Sequence, residues 1–207
     1  MILYLIRHGR SIANRRGLVT GTPDDRLDEV GRDQAAALGQ WVAGLGVTPQ
    51  RFVMSQWQRA QETAAALFPQ ATWEVDRRLG ETDAGEVANL PLAAFLESHA
   101  AFYRDPANAY PGGESHLDLN RRVLQWLDEL LRDPCRSLAV ATHSGPIACL
   151  LQHIHGLDMR RFPAFLPAHA TVTVVRFARR DGAWCGVLAG FALGPPENLR
   201  GIVHDEA

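Results

Sequence analysis

The sequence predicts an α/β fold, a three-layer α/β/α sandwich around a mainly parallel sheet. Three short runs carry that expectation: residues 2–6, 51–55 and 137–142 are largely apolar and do not alternate. This is the pattern of strands covered on both faces. Each run is followed by a stretch with apolar residues at helical spacing. Strands separated by helices favour parallel pairing, because a parallel connection requires a crossover of a dozen or more residues.

In chain order, residues 2–6 form the first strand and residues 14–25, punctuated by Gly17, Gly21 and Pro23, a polar loop. Asp28 is placed to cap a helix in which Ala35, Leu38, Val42 and Leu45 share helical spacing, stopped by Gly44, Gly46 and Pro49. The second strand, at 51–55, leads into an alanine-rich helix that begins over 56–64. A short strand at 73–76 precedes an acidic loop over 78–86. Residues 92–103 read as a helix, followed by a loop ending in Pro111-Gly112-Gly113. The best helical pattern is 115–132, where Leu117, Val123, Leu124, Leu127, Leu130 and Leu131 fall largely on one face. Glu114 and Ser115 stand at its start as candidate caps. After the third strand comes a helix over 147–155. Residues 171–177 and 184–191 form a closing hairpin around Arg180-Asp181-Gly182. The tail from Pro195 is polar and expected to be loose.

The 207 residues, 46% hydrophobic and 21% charged, suit one domain over 1–207, with residues 90–110 partly covering a site. A net charge of −2 argues against a general nucleic-acid partner. Cys135, Cys149 and Cys185 are sparse, form no Cys-x-x-Cys pair and follow no export signal, so reduced thiols in the cytoplasm are expected. No apolar run reaches spanning length, so no membrane partner is expected. The oligomeric state is open.

Chemistry gathers at the strand ends. The first run ends in Arg7-His8-Gly9, the second is followed by Arg59, and the third ends in His143-Ser144-Gly145-Pro146. Parallel strands deliver the groups beyond their carboxyl ends to one crevice, so residues distant in sequence can meet there. A neutral imidazole is a nucleophile, guanidinium groups fork onto phosphate oxygens, and a second imidazole can donate to the developing charge. His153 and His155 lie two apart on a helix, do not share a face, and make a poor metal pair. Phe95, Leu96, Phe102 and Tyr103 have spacing that suits helix packing or a pocket wall.

With these residues assembled, the chain resembles the histidine phosphatase superfamily, which includes phosphatases and cofactor-dependent phosphoglycerate mutases. The resemblance rests on Leu5-Ile6-Arg7-His8-Gly9, Asn14, Thr20-Gly21, Leu27 with Gly31 and Gln34-Ala35, and Arg59-Ala60 with Thr63-Ala64. It continues in Glu81 with Gly85, Pro111-Gly112-Gly113-Glu114-Ser115 with Arg122, and Val140-Ala141-Thr142-His143. These stretches span most of the chain.

The resemblance implies a phosphoglycerate mutase-like fold and hydrolysis of a small phosphorylated metabolite through a covalent phosphohistidine, with no cofactor and no metal. His8 matches the nucleophile. Arg7, Arg59 and His143 match the rest of the phosphate pocket, and Asn14 a further phosphate contact. Glu81 matches the acid that protonates the leaving oxygen, with Asp83 and Glu86 as alternatives in the same loop. Mutases of the family follow the acid with a tyrosine and later a lysine; residues 82–92 contain neither. Ser144-Gly145-Pro146 after the second histidine is similar to the phosphatases, and the chain lacks the mutases' longer insertion. A phosphatase is therefore expected, with a mutase-type phosphotransferase or a non-catalytic phospho-ligand binder as alternatives. Arg10, Arg15 and Arg16 are either solvated loop cations or attractors for a substrate with more than one anionic group.

Overall fold

A computed structural model describes residues 1–199. Its strands are β1 (Ile2–Arg7), β2 (Arg51–Met54), β3 (Glu74–Val75), β4 (Ser137–Thr142), β5 (Thr171–Arg180) and β6 (Ala183–Leu193). They form one sheet in the order β3-β2-β4-β1-β5-β6. The first four strands are parallel, whereas β5 runs antiparallel to β1 and β6 antiparallel to β5. The helices are α1 (Ile12–Arg15), α2 (Glu29–Gly44), α3 (Gln58–Leu67), α4 (Leu92–Ser98), α5 (His116–Arg132) and α6 (Ser144–Ile154).

Side-chain alternation on β1 explains the layers. Leu3 and Leu5 pack with Leu119, Val123 and Leu127 of α5 and Ile147, Leu150 and Leu151 of α6. Ile6 points to the other face, among Leu38 and Val42 of α2 and Leu67 of α3. Both faces are therefore covered, and every residue of β4 is buried. Among the described residues, no helix is long and apolar enough to cross a membrane.

Several boundaries differ from the sequence expectation, each for a local reason. The supposed loop over 14–25 begins inside α1, where Ser11 and Asn14 form a reciprocal capping box. Asp28 does cap α2, accepting from Gly31 N–H at 2.7 Å. The helix expected over 92–103 stops at Ser98, whose hydroxyl donates back to the Ala94 and Phe95 carbonyls, and resumes as a 3₁₀ turn at Phe102–Arg104. Ser115, with Asp118, caps α5, whereas Glu114 turns instead to Arg122. Helix α6 begins at Ser144, three residues before the expected start, since Pro146 is compatible with a first helical turn. The hairpin turns through Asp181 and Gly182, both at positive φ, and its strands extend further than expected. The tail is not loose at Asn198, which is buried and donates to the Gln34 and Ala170 carbonyls. Residues 200–207 of that tail lie outside the described residues.

Candidate active site

The parallel strands end side by side, and register aligns Arg7 with Thr142 of β4 and with Thr171 at the start of β5. His8 follows β1 and is 2% exposed. Its Nδ1 lies 2.7 Å from the Gly9 carbonyl, an acceptor, so Nδ1 carries the ring proton. Its Nε2 accepts from Arg59 Nε at 3.1 Å. The imidazole is thus neutral, with one lone pair at a defined position. Burial, then the positive charge of Arg59, and further His143, His169 and Arg7, hold its pKa well below 6.5.

Arg59 stands in the first turn of α3 and is itself 2% exposed. Its Nη1 pairs with Asp25 at 3.0 Å, and the Trp57 ring lies 4.4 Å from its guanidinium carbon. Asp25 also accepts from the Ala13 N–H, which links α1 to α3. Arg7 donates to the Pro167 carbonyl and to His169 Nε2, the latter at 2.9 Å. Burial lowers its pKa to about 10, which leaves it charged at neutral pH. Its Nε is buried without a partner among the described residues. His143 has its ring centroid 4.9 Å from that of His8, and its Nε2 meets Ser55 Oγ at 2.9 Å. Ser55 Oγ also accepts from Trp57 N–H at 3.1 Å and lies 3.5 Å from Gln56 Oε1, an acceptor for its proton. His143 Nδ1 is buried and has no partner among the described residues.

Glu81 and His8 line the same cavity. Glu81 Oε2 accepts from Ser144 Oγ and Gly145 N–H, both at 3.2 Å, at the N-terminus of α6. Its Oε1 accepts from Thr82 N–H at 3.0 Å. A Cβ on Gly145 would lie 2.1 Å from Glu81 Oε1, so only glycine lets the carboxylate come this close. The loop carrying Glu81 is gripped from behind. Arg122 donates to the carbonyls of Arg78, Gly80 and Glu81 at 2.7–2.9 Å. The same guanidinium forks onto Glu114, which also accepts from Asp83 N–H.

A neutral imidazole, two guanidinium groups and a carboxyl gathered at one cavity agree with the comparisons to known proteins. Residues 3–186 match the model of the histidine phosphatase superfamily (branch 1). The chain belongs to the histidine phosphatase superfamily. It is 30% identical over 176 residues to "Probable phosphoglycerate mutase GpmB" of Yersinia pestis (strain Pestoides F), covering 81% of this chain and 77% of the relative. Among solved structures it resembles a mycobacterial glucosyl-3-phosphoglycerate phosphatase complexed with VO3. There the TM-score is 0.80 at 27% identity, covering 92% of this chain and 98% of the other. The alpha-ribazole phosphatase from Shigella flexneri shares the fold, with a TM-score of 0.83 at 21% identity over 93% of this chain and 96% of that one.

In this member of the superfamily the structure brings Arg7, His8, Asn14, Arg59 and Glu81 to the lining of one cavity, with His143 packed against His8. The carboxamide oxygen of Asn14 is taken by Ser11, which turns its NH2 into the free group. Asp83 bonds back to Gly85 N–H, and Glu86 lies against Gly112; neither lines this cavity. Arg10 is paired with the α2 cap Asp28 at 2.7 Å, and it, Arg15 and Arg16 stand off the cavity wall. Of the aromatic candidates, Tyr103 reaches the cavity, whereas Phe95, Leu96 and Phe102 pack into an apolar cluster.

Sequence reasoning missed Asp25, His169, Tyr110, His116 and Phe162. His169 had a usable signal. It precedes β5, and an antiparallel strand starts where its parallel neighbour ends.

Proposed function

We propose that the chain is a phosphomonoester hydrolase working through a phosphohistidine at His8. The observation that carries this reading is the held tautomer of His8, whose unprotonated Nε2 rests on Arg59 in the cavity that Glu81 also lines. A phosphoryl group entering the cavity takes over the Arg59 N–H donor, which frees the Nε2 lone pair for attack on phosphorus. In this reading Arg7, Arg59, the Asn14 amide and His143 stabilise the equatorial oxygens. As the P–N bond forms, the ester P–O bond breaks, and the departing oxygen takes the Glu81 proton. Water then attacks phosphorus, Glu81 accepts a proton from that water, and cleavage of the P–N bond restores His8 and releases inorganic phosphate.

Hydrolysis is favoured over a mutase-type transfer. The lysine that mutases of the family use is missing from residues 82–92, and the sequence as a whole contains no lysine: all 21 basic residues are arginine. Nor does the proposed cycle call for a metal.

Rapid quenching should trap an acid-labile, base-stable phosphoenzyme in the wild type and none in His8→Ala, whose turnover should fall by on the order of 10⁴–10⁶. Treatment with a chelator should leave the wild-type rate unchanged. Isomerisation of phosphoglycerate outpacing phosphate release would favour the mutase, and label on His143 would move the nucleophile.

A further inference from the structure

The cavity has a second end that no step of the proposed cycle uses. It is walled by Tyr103, Tyr110, His116, Phe162, Pro163 and Leu166. The Tyr103 ring lies nearly parallel to His116, centroids 5.7 Å apart, and Phe162 also packs on His116, centroids 4.7 Å apart. The two tyrosine hydroxyls bond to each other at 2.9 Å, which uses one of their two protons. Burial lowers the His116 pKa and raises those of both tyrosines, so this wall is neutral around pH 7. Among the described residues, the arginines on the cavity are Arg7 and Arg59, both at the phosphate end. At the rim, Leu166 is 61% and Tyr103 45% exposed, two large apolar surfaces left facing solvent beside a phosphate pocket.

Resting on the hydrolase reading, we propose that the alcohol half of the substrate is uncharged and presents one flat apolar ring to Tyr103, Phe162 and Leu166. The cavity, about 180 Å³, is small beside the ~300–1,000 Å³ of drug-sized sites, which suits a phosphoryl group and a single ring system. An apolar ring removes the exposed faces of Leu166 and Tyr103 from water and stacks on the aromatic wall. A second carboxylate or phosphate would instead lose its hydration against paired hydroxyls and hydrocarbon, without a cation to receive it. It would also stand near Glu81. The same wall that accepts a ring therefore rejects bisphosphates and phosphoglycerates.

The test compares esters of unactivated alkyl alcohols, so that leaving-group chemistry differs little: 2-phenylethyl phosphate, propyl phosphate and 3-phosphoglycerate. The kcat/KM for the phenylethyl ester should exceed that for the propyl ester by about 10- to 100-fold, the range expected for burying a phenyl ring. That for 3-phosphoglycerate should fall below both. Leu166→Arg, at an exposed position, should shrink the phenylethyl advantage and raise 3-phosphoglycerate. Inhibition constants of the corresponding phosphonates, which need no turnover, should follow the same ranking. Equal values for the phenyl and propyl compounds, or a preference for the doubly anionic one, would overturn the inference. Phosphonates ranked as expected, with none of the esters hydrolysed, would leave the ligand class standing and remove the hydrolase reading.

Discussion

The two ends of the cavity are built in opposite ways. At the phosphate end, Arg7, His8, Arg59 and His143 stand at strand ends or in a helix's first turn; Arg7 is half-buried and the other three are buried, and directional polar contacts join them through Asp25, Ser55 and His169. At the far end, Tyr103, Phe162 and Leu166 come from segments outside the sheet, and Tyr103 and Phe162 pack through ring contacts to His116. Hydrogen bonds to charged groups fix position and tautomer, whereas apolar contacts are less directional and tolerate exchange of shape. The first end is suited to a part common to every phosphomonoester, and the second to the part that differs between them. Glu81 sits at the junction, hung on the N-terminus of α6 and backed by Arg122.

The largest effect that sharpens this contrast comes from the junction. Glu81→Gln keeps size but cannot supply a proton, so single-turnover phosphorylation by an alkyl phosphate should slow by about 10²–10⁴. With p-nitrophenyl phosphate, whose phenolate leaves without help, the change should be far smaller. Gly145→Ala should give the same leaving-group signature with Glu81 intact, because its methyl group occupies the carboxylate's place. Equal losses on both substrates would give Glu81 a binding role and blur the division between the two ends.

A smaller effect separates the ends by their response to acid. His8, His143 and His169 all have native pKa values well below 6.5, with burial as the first cause in each. Below pH 6.5 the unfolded chain therefore binds protons that the native state refuses. Stability contributed by these groups is present above 6.5 and lost as pH falls toward their native values, at up to about 1.4 kcal/mol per pH unit for each histidine. Urea titrations between pH 7.5 and 5 should show this decline, and His169→Gln should make it shallower. Activity, in contrast, should persist below pH 6.5, since His8 stays neutral and nucleophilic there. An acid limb centred at 6.5 in kcat/KM would mean that His8 is not held as the geometry implies.

The same contrast explains what was readable in the sequence. Unbroken apolar runs announced β1, β2 and β4, and chemistry placed next to their ends put Arg7, His8, Arg59 and His143 within reach of one another. Glu81 was legible through a family motif and not through its loop, where Asp83 and Glu86 look equally suitable. Asp25 and His169 were hidden because their meaning arises only when loops distant in sequence meet an arginine. Helix α1 was missed since four residues carry no measurable period. The expected helix over 92–103 failed at Ser98, where a side-chain hydroxyl competes for backbone carbonyls, a local event that apolar spacing does not encode.

The smallest predicted effect tests whether the far wall is separable from the chemistry. Tyr103→Phe removes one hydroxyl and leaves the ring that stacks on His116. The cost is the 2.9 Å bond to Tyr110, whose hydroxyl is then left with only solvent or a ligand to pair with. A neutral hydrogen bond contributes roughly 0.5–1.5 kcal/mol, so a small loss of stability is expected. Propyl phosphate, which scarcely reaches this wall, should be turned over within about threefold of the wild-type rate, the low end of that same range. The phenylethyl ester should keep its advantage, because ring contact and not the hydroxyl supplies it. A polar alcohol that recruits the freed Tyr110 hydroxyl should gain relative to both. If Tyr103→Phe instead slowed all substrates alike, including p-nitrophenyl phosphate, the tyrosine pair would be acting on the phosphoryl step, and the two ends of the cavity would have to be treated as one site.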